Sequence, residues 1–370
     1  MFAKARTYII MHKNKEVASI RKDGYCEIYH RDFMPYNLYF EVQTQDLDER
    51  VNNLTNFYYW CSSRVLSLDR KYAKEILNFL DKKQAVTDKD RAEIALSYHC
   101  LTLTDVFWVR KQDEKLFFEN ISLYRHSLSE VFFDVCLRGV NPTLQNQEFL
   151  TQGKVAGDIS TSGVAPKAWL RKNGEIFLYK DGNINEVNAE LLASKIASCF
   201  QCNRVEYFEE YYLGQKVSAS KLITSEDKSI IPMEFIEVYA ANNDTDKFSI
   251  VLNKDAYNYY MMNILDYLTG NTDRHWGNWG FFVDNATNQL TELYPLMDFN
   301  KAFTAYEKIE GEKCLTSKTP MTQKQAAIEA VSEIGLNQIA EISDEWFYDA
   351  KIREMFFKRL AVLKEVESMK

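Results

Sequence analysis

An aspartate and an asparagine stand five positions apart in Asn271-Thr272-Asp273-Arg274-His275-Trp276-Gly277-Asn278, directly after a long amphipathic segment. No other stretch constrains the chain as strongly. Tyr257, Met261, Ile264, Leu265 and Leu268 follow helical spacing, so the segment reads as a helix with Asp255 as its N-cap and Gly270 as its stop. After a short turn-containing strand pair comes Tyr294-Pro295-Leu296-Met297-Asp298-Phe299-Asn300, a second aspartate in an apolar run. A helix end thus delivers three polar side chains in a fixed order.

Upstream, strand-like alternation in Thr7-Tyr8-Ile9-Ile10-Met11 and Glu16-Val17-Ala18-Ser19-Ile20 is followed by helical patterns from Arg70 to Leu80 and from Asp88 to Leu96. Residues 1–150 offer no constellation of catalytic side chains and read as an accessory or regulatory α+β region. From Gly153 a small, polar loop leads to a hairpin, Ala168-Trp169-Leu170-Arg171 and Glu175 to Lys180, around Asn173-Gly174, the preferred two-residue turn. A helix from about Val187 to Phe200 and strands at Arg204 to Tyr212 and Pro232 to Glu237 complete a middle part, 151–240. Residues 241–370 read as helical, the tail carrying Ile352, Phe356, Leu360 and Leu363 after an N-cap at Ser343. Strands before and helices after predict an α+β fold of two lobes.

The length of 370 residues fits two or three compact units. A net charge of -8 without a Lys/Arg-dense run argues against a broad nucleic-acid surface, so no direct nucleic-acid binding is expected. No stretch nears the ~20 apolar residues that span a bilayer, and the start lacks an apolar signal core, so a cytoplasmic protein is expected. Seven scattered cysteines fit reduced, buried thiols, and Cys199-Phe200-Gln201-Cys202 lacks the second ligand pair that zinc needs.

Phosphoryl transfer asks a protein for positioning, metal charge and an oriented acceptor hydroxyl. Asp273 supplies a group to take the hydroxyl proton, Asn278 a metal ligand, and Asp298 a carboxylate to bridge metal and phosphates. Lys180 ends an apolar strand after the polar loop, placing an ammonium for phosphates. Glu190, on the stripe of Ala193 and Ala197, is suited to aim that lysine.

In Ser162-Gly163-Val164-Ala165-Pro166-Lys167, Leu178-Tyr179-Lys180, the Asn271 to Asn278 loop and Pro295-Leu296-Met297-Asp298-Phe299, the chain resembles the HipA-like kinase family, bacterial serine/threonine kinases that include toxins of toxin-antitoxin pairs. The resemblance covers about Gly153 to Phe303. Tyr8 to Lys13, Leu101 to Asp105 and Phe107-Trp108-Val109 resemble the N-terminal part of a clostridial-type subgroup. It implies a protein-kinase-like fold, with a mixed N-terminal part and a helical C-terminal lobe, using ATP and Mg²⁺. Ser162, Gly163 and Lys167 belong to the phosphate loop, and Glu234, Phe235 and Ile236 supply hinge backbone to adenine. Ser160 or Ser162 matches a self-phosphorylated loop serine. Pro166 lacks a backbone N–H, and Phe299-Asn300 stands where ordinary protein kinases have Phe-Gly.

The expectation is therefore a kinase acting on Ser or Thr hydroxyls of a protein, with a small helix-turn-helix antitoxin as its possible partner. Two alternatives are a small-molecule kinase, separated by acceptor identity, and a nucleotide-binding module without turnover, which the full Lys, Glu, Asp, Asn, Asp set argues against.

Overall fold

The computed structural model describes residues 7–80, 87–139, 159–160 and 165–369. These form two compact units. The first takes in the described residues up to Lys180 together with Thr224–Ser229 and Val283–Gln289; the second holds Asp181–Ile223, Ile230–Phe282 and the chain from Leu290 on.

In the first unit β1 (Thr7–His12), β2 (Lys15–Arg21) and β3 (Cys26–Ile28) precede three helices, α1 (Leu47–Ser62), α2 (Ala73–Phe79) and α3 (Asp88–Ser97). Then come β4 (Phe107–Lys111), α4 (Phe118–Ile121), α5 (Glu130–Arg138), β5 (Lys167–Lys172) and β6 (Glu175–Lys180). The first four strands make a sheet in the order β3-β2-β1-β4. β1 is central and antiparallel to both neighbours, Ile10 facing Ala18 on one side and Val109 on the other. Ile10, Ile20, Phe57, Trp60 and Trp108 are fully buried, and each such side chain contributes about 1.5–3 kcal/mol. Arg64 is buried with them because its charge is paired: it donates twice to Asp105, at 2.8 and 2.6 Å, and to the carbonyls of Cys100 and Phe107.

The β5–β6 hairpin turns on Asn173 and Gly174 at φ 54° and 84°, the left-handed pair that a two-residue hairpin requires. Tyr179 of β6 meets Phe133 of α5 edge-on at 5.3 Å. That packing goes with the placement of the hairpin in the first unit.

The second unit begins with α6 (Ile184–Ala197), opened by a capping box between Asn183 and Glu186. β7 (Tyr207–Tyr212) and β8 (Gln215–Lys221) form an antiparallel hairpin. After them come β9 (Lys228–Pro232), α7 (Met233–Asn242), α8 (Lys247–Thr269), β10 (Gly280–Asp284), β11 (Gln289–Leu293), α9 (Gln323–Ile334) and α10 (Ala350–Ser368). β11, β10 and β9 pair in that order.

Two expectations are corrected here. The strand read through Glu237 ends at Pro232, and Met233, Ile236 and Ala240, buried at i, i+3 and i+7, make the next residues helical. Ser343 caps only the 3-10 turn Asp344–Trp346, while the tail helix α10 is capped by Asp349, whose carboxylate accepts the N–H groups of Lys351 and Ile352. Among the described residues no helix is long and apolar enough to cross a membrane.

Candidate active site

The site is built at the end of α8. This helix is broken at Asp255, whose φ of -159° and ψ of 68° are not helical. Its carboxylate caps the second segment by accepting the N–H of Asn258 at 3.1 Å, and also accepts the N–H of Leu293 at 3.0 Å. Met261, Met262, Ile264, Leu265, Tyr267 and Leu268 are all buried, so the segment is enclosed around most of its circumference.

Gly270 ends it in the left-handed conformation at φ 58°, and a Cβ there would lie 2.5 Å from the Tyr306 ring. Arg359 of α10, fully buried, donates to the last-turn carbonyl of Tyr267 at 2.6 Å and to that of Lys308 at 2.6 Å. Its guanidinium lies 4.3 Å from the centre of the Tyr306 ring. Burial pulls its pKa below the ordinary value while the two tyrosines push it up. A cation at a helix C-terminus is favourable.

The loop that follows is held by Arg274, which is 2% exposed. Its Nε lies 3.0 Å from Oδ2 of Asp266 in the last turn of α8. Burial works against its charge and Asp266 more than restores it, so its pKa is raised. Nη1 donates to the carbonyls of Asn278, at 3.1 Å, and Met297, at 2.5 Å. One guanidinium therefore fixes the backbone of Asn278 and of the residue before Asp298. Asn271 donates to Asp266 at 3.2 Å, and its own carbonyl takes a 2.7 Å hydrogen bond from Gln323 of α9.

Within that frame the Asn278 amide donates to the carbonyl of Asp273 at 2.7 Å, which leaves its Oδ1 as an oxygen ligand. Asp298 sits at φ 62° with its N–H donated to the Tyr207 hydroxyl at 3.2 Å. Burial pushes the Asp273 carboxyl above the usual range; His275 opposes this, Asp298 adds to it, and Lys301 and Arg274 lower it. The two aspartates are therefore electrostatic neighbours. Lys301 is itself paired with Glu186 at the start of α6, at 2.5 Å.

His275 accepts the Gly277 N–H on Nδ1 at 3.0 Å, which assigns the proton of the neutral ring to Nε2. A Cβ on Gly277 would lie 2.9 Å from this ring and 3.7 Å from the Glu234 carboxylate. Burial raises the Glu234 pKa and His275 lowers it. Glu234, Phe235 and Ile236 lie in the first turn or so of α7, and the Glu234 N–H is committed to the Trp276 carbonyl at 3.0 Å. Glu190 is 1% exposed in α6 and accepts a hydrogen bond from Ser218 of β8.

The remaining expected residues belong to the first unit. Lys167 and Lys180 face each other in the β5–β6 register, so their side chains leave the same face of the hairpin. Lys180 is buried and Lys167 half-buried. Ser160 is half-buried, whereas Ser162 and Gly163 lie outside the described residues.

No family model matches the chain, and no curated protein does. Among solved structures it is similar to a chain of the Shewanella oneidensis MR-1 toxin-antitoxin complex of HipA, HipB and operator DNA, at 11% identity, 98% coverage of this chain, 100% of that chain and a TM-score of 0.56. The fold is HipA-like. The Helicobacter pylori proinflammatory kinase CtkA is also similar, at 15% identity, 56% coverage of this chain, 92% of that chain and a TM-score of 0.44. The HipA-like likeness extends over both units, and the α+β kinase-like class expected from the sequence is the class found.

Arg274, Asp266, His275 and Lys301 were not singled out in the sequence. Arg274 and His275 were visible within the motif itself. Asp266 carried a signal too, being an acid on the otherwise apolar helix, which is tolerated in a buried position when paired.

Proposed function

We propose that the chain is an ATP- and Mg²⁺-dependent protein kinase that transfers phosphate to Ser or Thr hydroxyls. The observation that carries this is the Arg274 clamp, which holds Asn278 and the approach to Asp298 on one guanidinium while Asp273 lies on the same loop. Among the described residues no three His, Cys, Asp or Glu side chains gather as a metal cluster. Magnesium in a nucleotide site needs only one or two protein oxygens, the phosphates and water supplying the rest. The Asn278 Oδ1 and the Asp298 carboxylate fit as that pair. Bound there, the ion would neutralise charge on the transferring phosphate.

Asp273 orients the acceptor hydroxyl and takes its proton, and a carboxyl raised above its usual range is a better base at neutral pH. Lys180, with Lys167 on the same hairpin face, provides cations for the nucleotide phosphates. Ser160 is an internal acceptor, with Ser162 as the alternative. The HipA of the similar complex stands with HipB and operator DNA; for this chain a small helix-turn-helix protein is the corresponding partner.

Incubating the purified chain with labelled ATP, Mg²⁺ and cell lysate tests the reading. Label on protein Ser or Thr, absent with Asp273→Asn, supports it. Label appearing only on small molecules, or MgATP binding without any transfer, overturns it.

A further inference from the structure

A cavity of about 560 Å³ is lined only by residues of the first unit and shares none with the candidate active site. That lies in the range of small-molecule sites, roughly 300–1,000 Å³. Its apolar part is Val109 of β4, Leu96 of α3 and the rings of Tyr8 and Tyr58. Around these stand Lys22, Lys89, Arg110 and Lys111 against two acids, Glu93 and Glu114.

Two of the cations are already used, Arg110 by Glu16 and Lys111 by Glu114. Lys22 and Lys89 are exposed and make no hydrogen bond or ion pair with any described residue. A net positive cavity in a chain of net charge -8 is a local departure that draws anions.

The backbone beside it is strained. His99 and Cys100 stand consecutively at φ 56° and 55° although neither is glycine, and such residues collect at ligand clamps and active sites. His99 is held by its carbonyl, which accepts the Val109 N–H at 2.9 Å, and by Nδ1, which donates to the Val109 carbonyl at 3.0 Å. Both polar groups of Val109 are thereby occupied, so this residue offers no edge pairing to an added strand.

We propose that this cavity binds a phosphoryl ligand of nucleotide size, its phosphate between Lys22 and Lys89 and its ring against Tyr8 and Tyr58. The phosphoryl group is common to a nucleotide and to free phosphate. The volume favours the nucleotide, so AMP is expected to bind more tightly than inorganic phosphate.

Calorimetric titration of AMP and of inorganic phosphate into the full chain tests it. One AMP site, distinct from any at the proposed ATP site, should persist in the Asp298→Ala variant and weaken by roughly tenfold or more in Lys22→Ala/Lys89→Ala, since each charge-assisted contact is worth about one decade. Phosphate binding that responds in the same way, as tightly as AMP, assigns the site to the free ion while keeping the phosphoryl group as its ligand. Binding of neither probe, or AMP binding unchanged in the double variant, overturns the proposal. The test is independent of catalysis, so loss of phosphotransfer in the lysate assay does not decide it.

Discussion

Arg274 and Asp266 form an ion pair in which both side chains are buried, with Nε 3.0 Å from Oδ2. The acid belongs to the helix and the base to the loop, so the pair sets the loop's position relative to α8.

Breaking this pair from one side strands a buried charge. Arg274→Met should lower stability by about 3–5 kcal/mol and abolish turnover. In the double variant Arg274→Met/Asp266→Leu, urea unfolding should show much of the stability regained. Activity should stay lost, because the carbonyls of Asn278 and Met297 no longer share a donor. Recovery of turnover in the double variant would show that the clamp is dispensable.

Asp273→Asn keeps the shape of the loop and removes the base, so turnover should fall roughly 10²- to 10⁴-fold. The same change should stabilise the fold at neutral pH. A carboxyl with a raised folded pKa contributes stability below the ordinary carboxylate range and loses it as pH rises through the folded value. Melting curves of parent and variant should therefore separate at pH 7 and approach each other as pH drops below that range. Equal melting at both pH values speaks against a strained carboxylate.

Asp298→Ala should weaken MgATP binding along with turnover. At ~100 times its Kd the nucleotide stabilises the parent by about 2.7 kcal/mol, and the variant should gain far less. Equal stabilisation would place the metal ligands elsewhere.

His12 is buried between the rings of Phe33 and Phe107, and burial lowers its pKa to about 4. The folded chain keeps this ring neutral while the unfolded chain protonates it near pH 6.5. Its contribution, on the order of 3 kcal/mol, is intact above about pH 6.5 and is lost as pH falls toward 4. His12→Leu should flatten stability over that window in melts at successive pH values. An acid limb of undiminished slope would assign the sensitivity to other groups.

Gly270→Ala combines a left-handed backbone with a Cβ 2.5 Å from Tyr306. A loss above about 1 kcal/mol is expected, with turnover reduced at temperatures where the protein remains folded. Ordinary stability would mean that Tyr306 yields.

The features legible in the sequence were those set by neighbours along the chain. Asp255 as a cap, Gly270 as a stop and Asn173-Gly174 as a hairpin each depend on local dihedral preference, and the structure has all three. The segment from Pro232 to Glu237 misled because its apolar residues suit both periods; burial of Met233, Ile236 and Ala240 selects the helix, and burial is a tertiary property. The partners of Arg274 were hidden for a similar reason. Two of its acceptors are backbone carbonyls, which carry no residue identity for a motif to display.

The break at Asp255 gives the second segment of α8 its own origin. Since its carboxylate binds both Asn258 and Leu293, the phase of every later residue is counted from a point anchored on β11, and the turns from Lys247 to Lys254 only lead up to it. A residue added to or removed from those earlier turns is taken up at the interruption instead of rotating Asp266 away from Arg274. One residue inserted before this aspartate should accordingly disturb the site less than one inserted between it and Asp273.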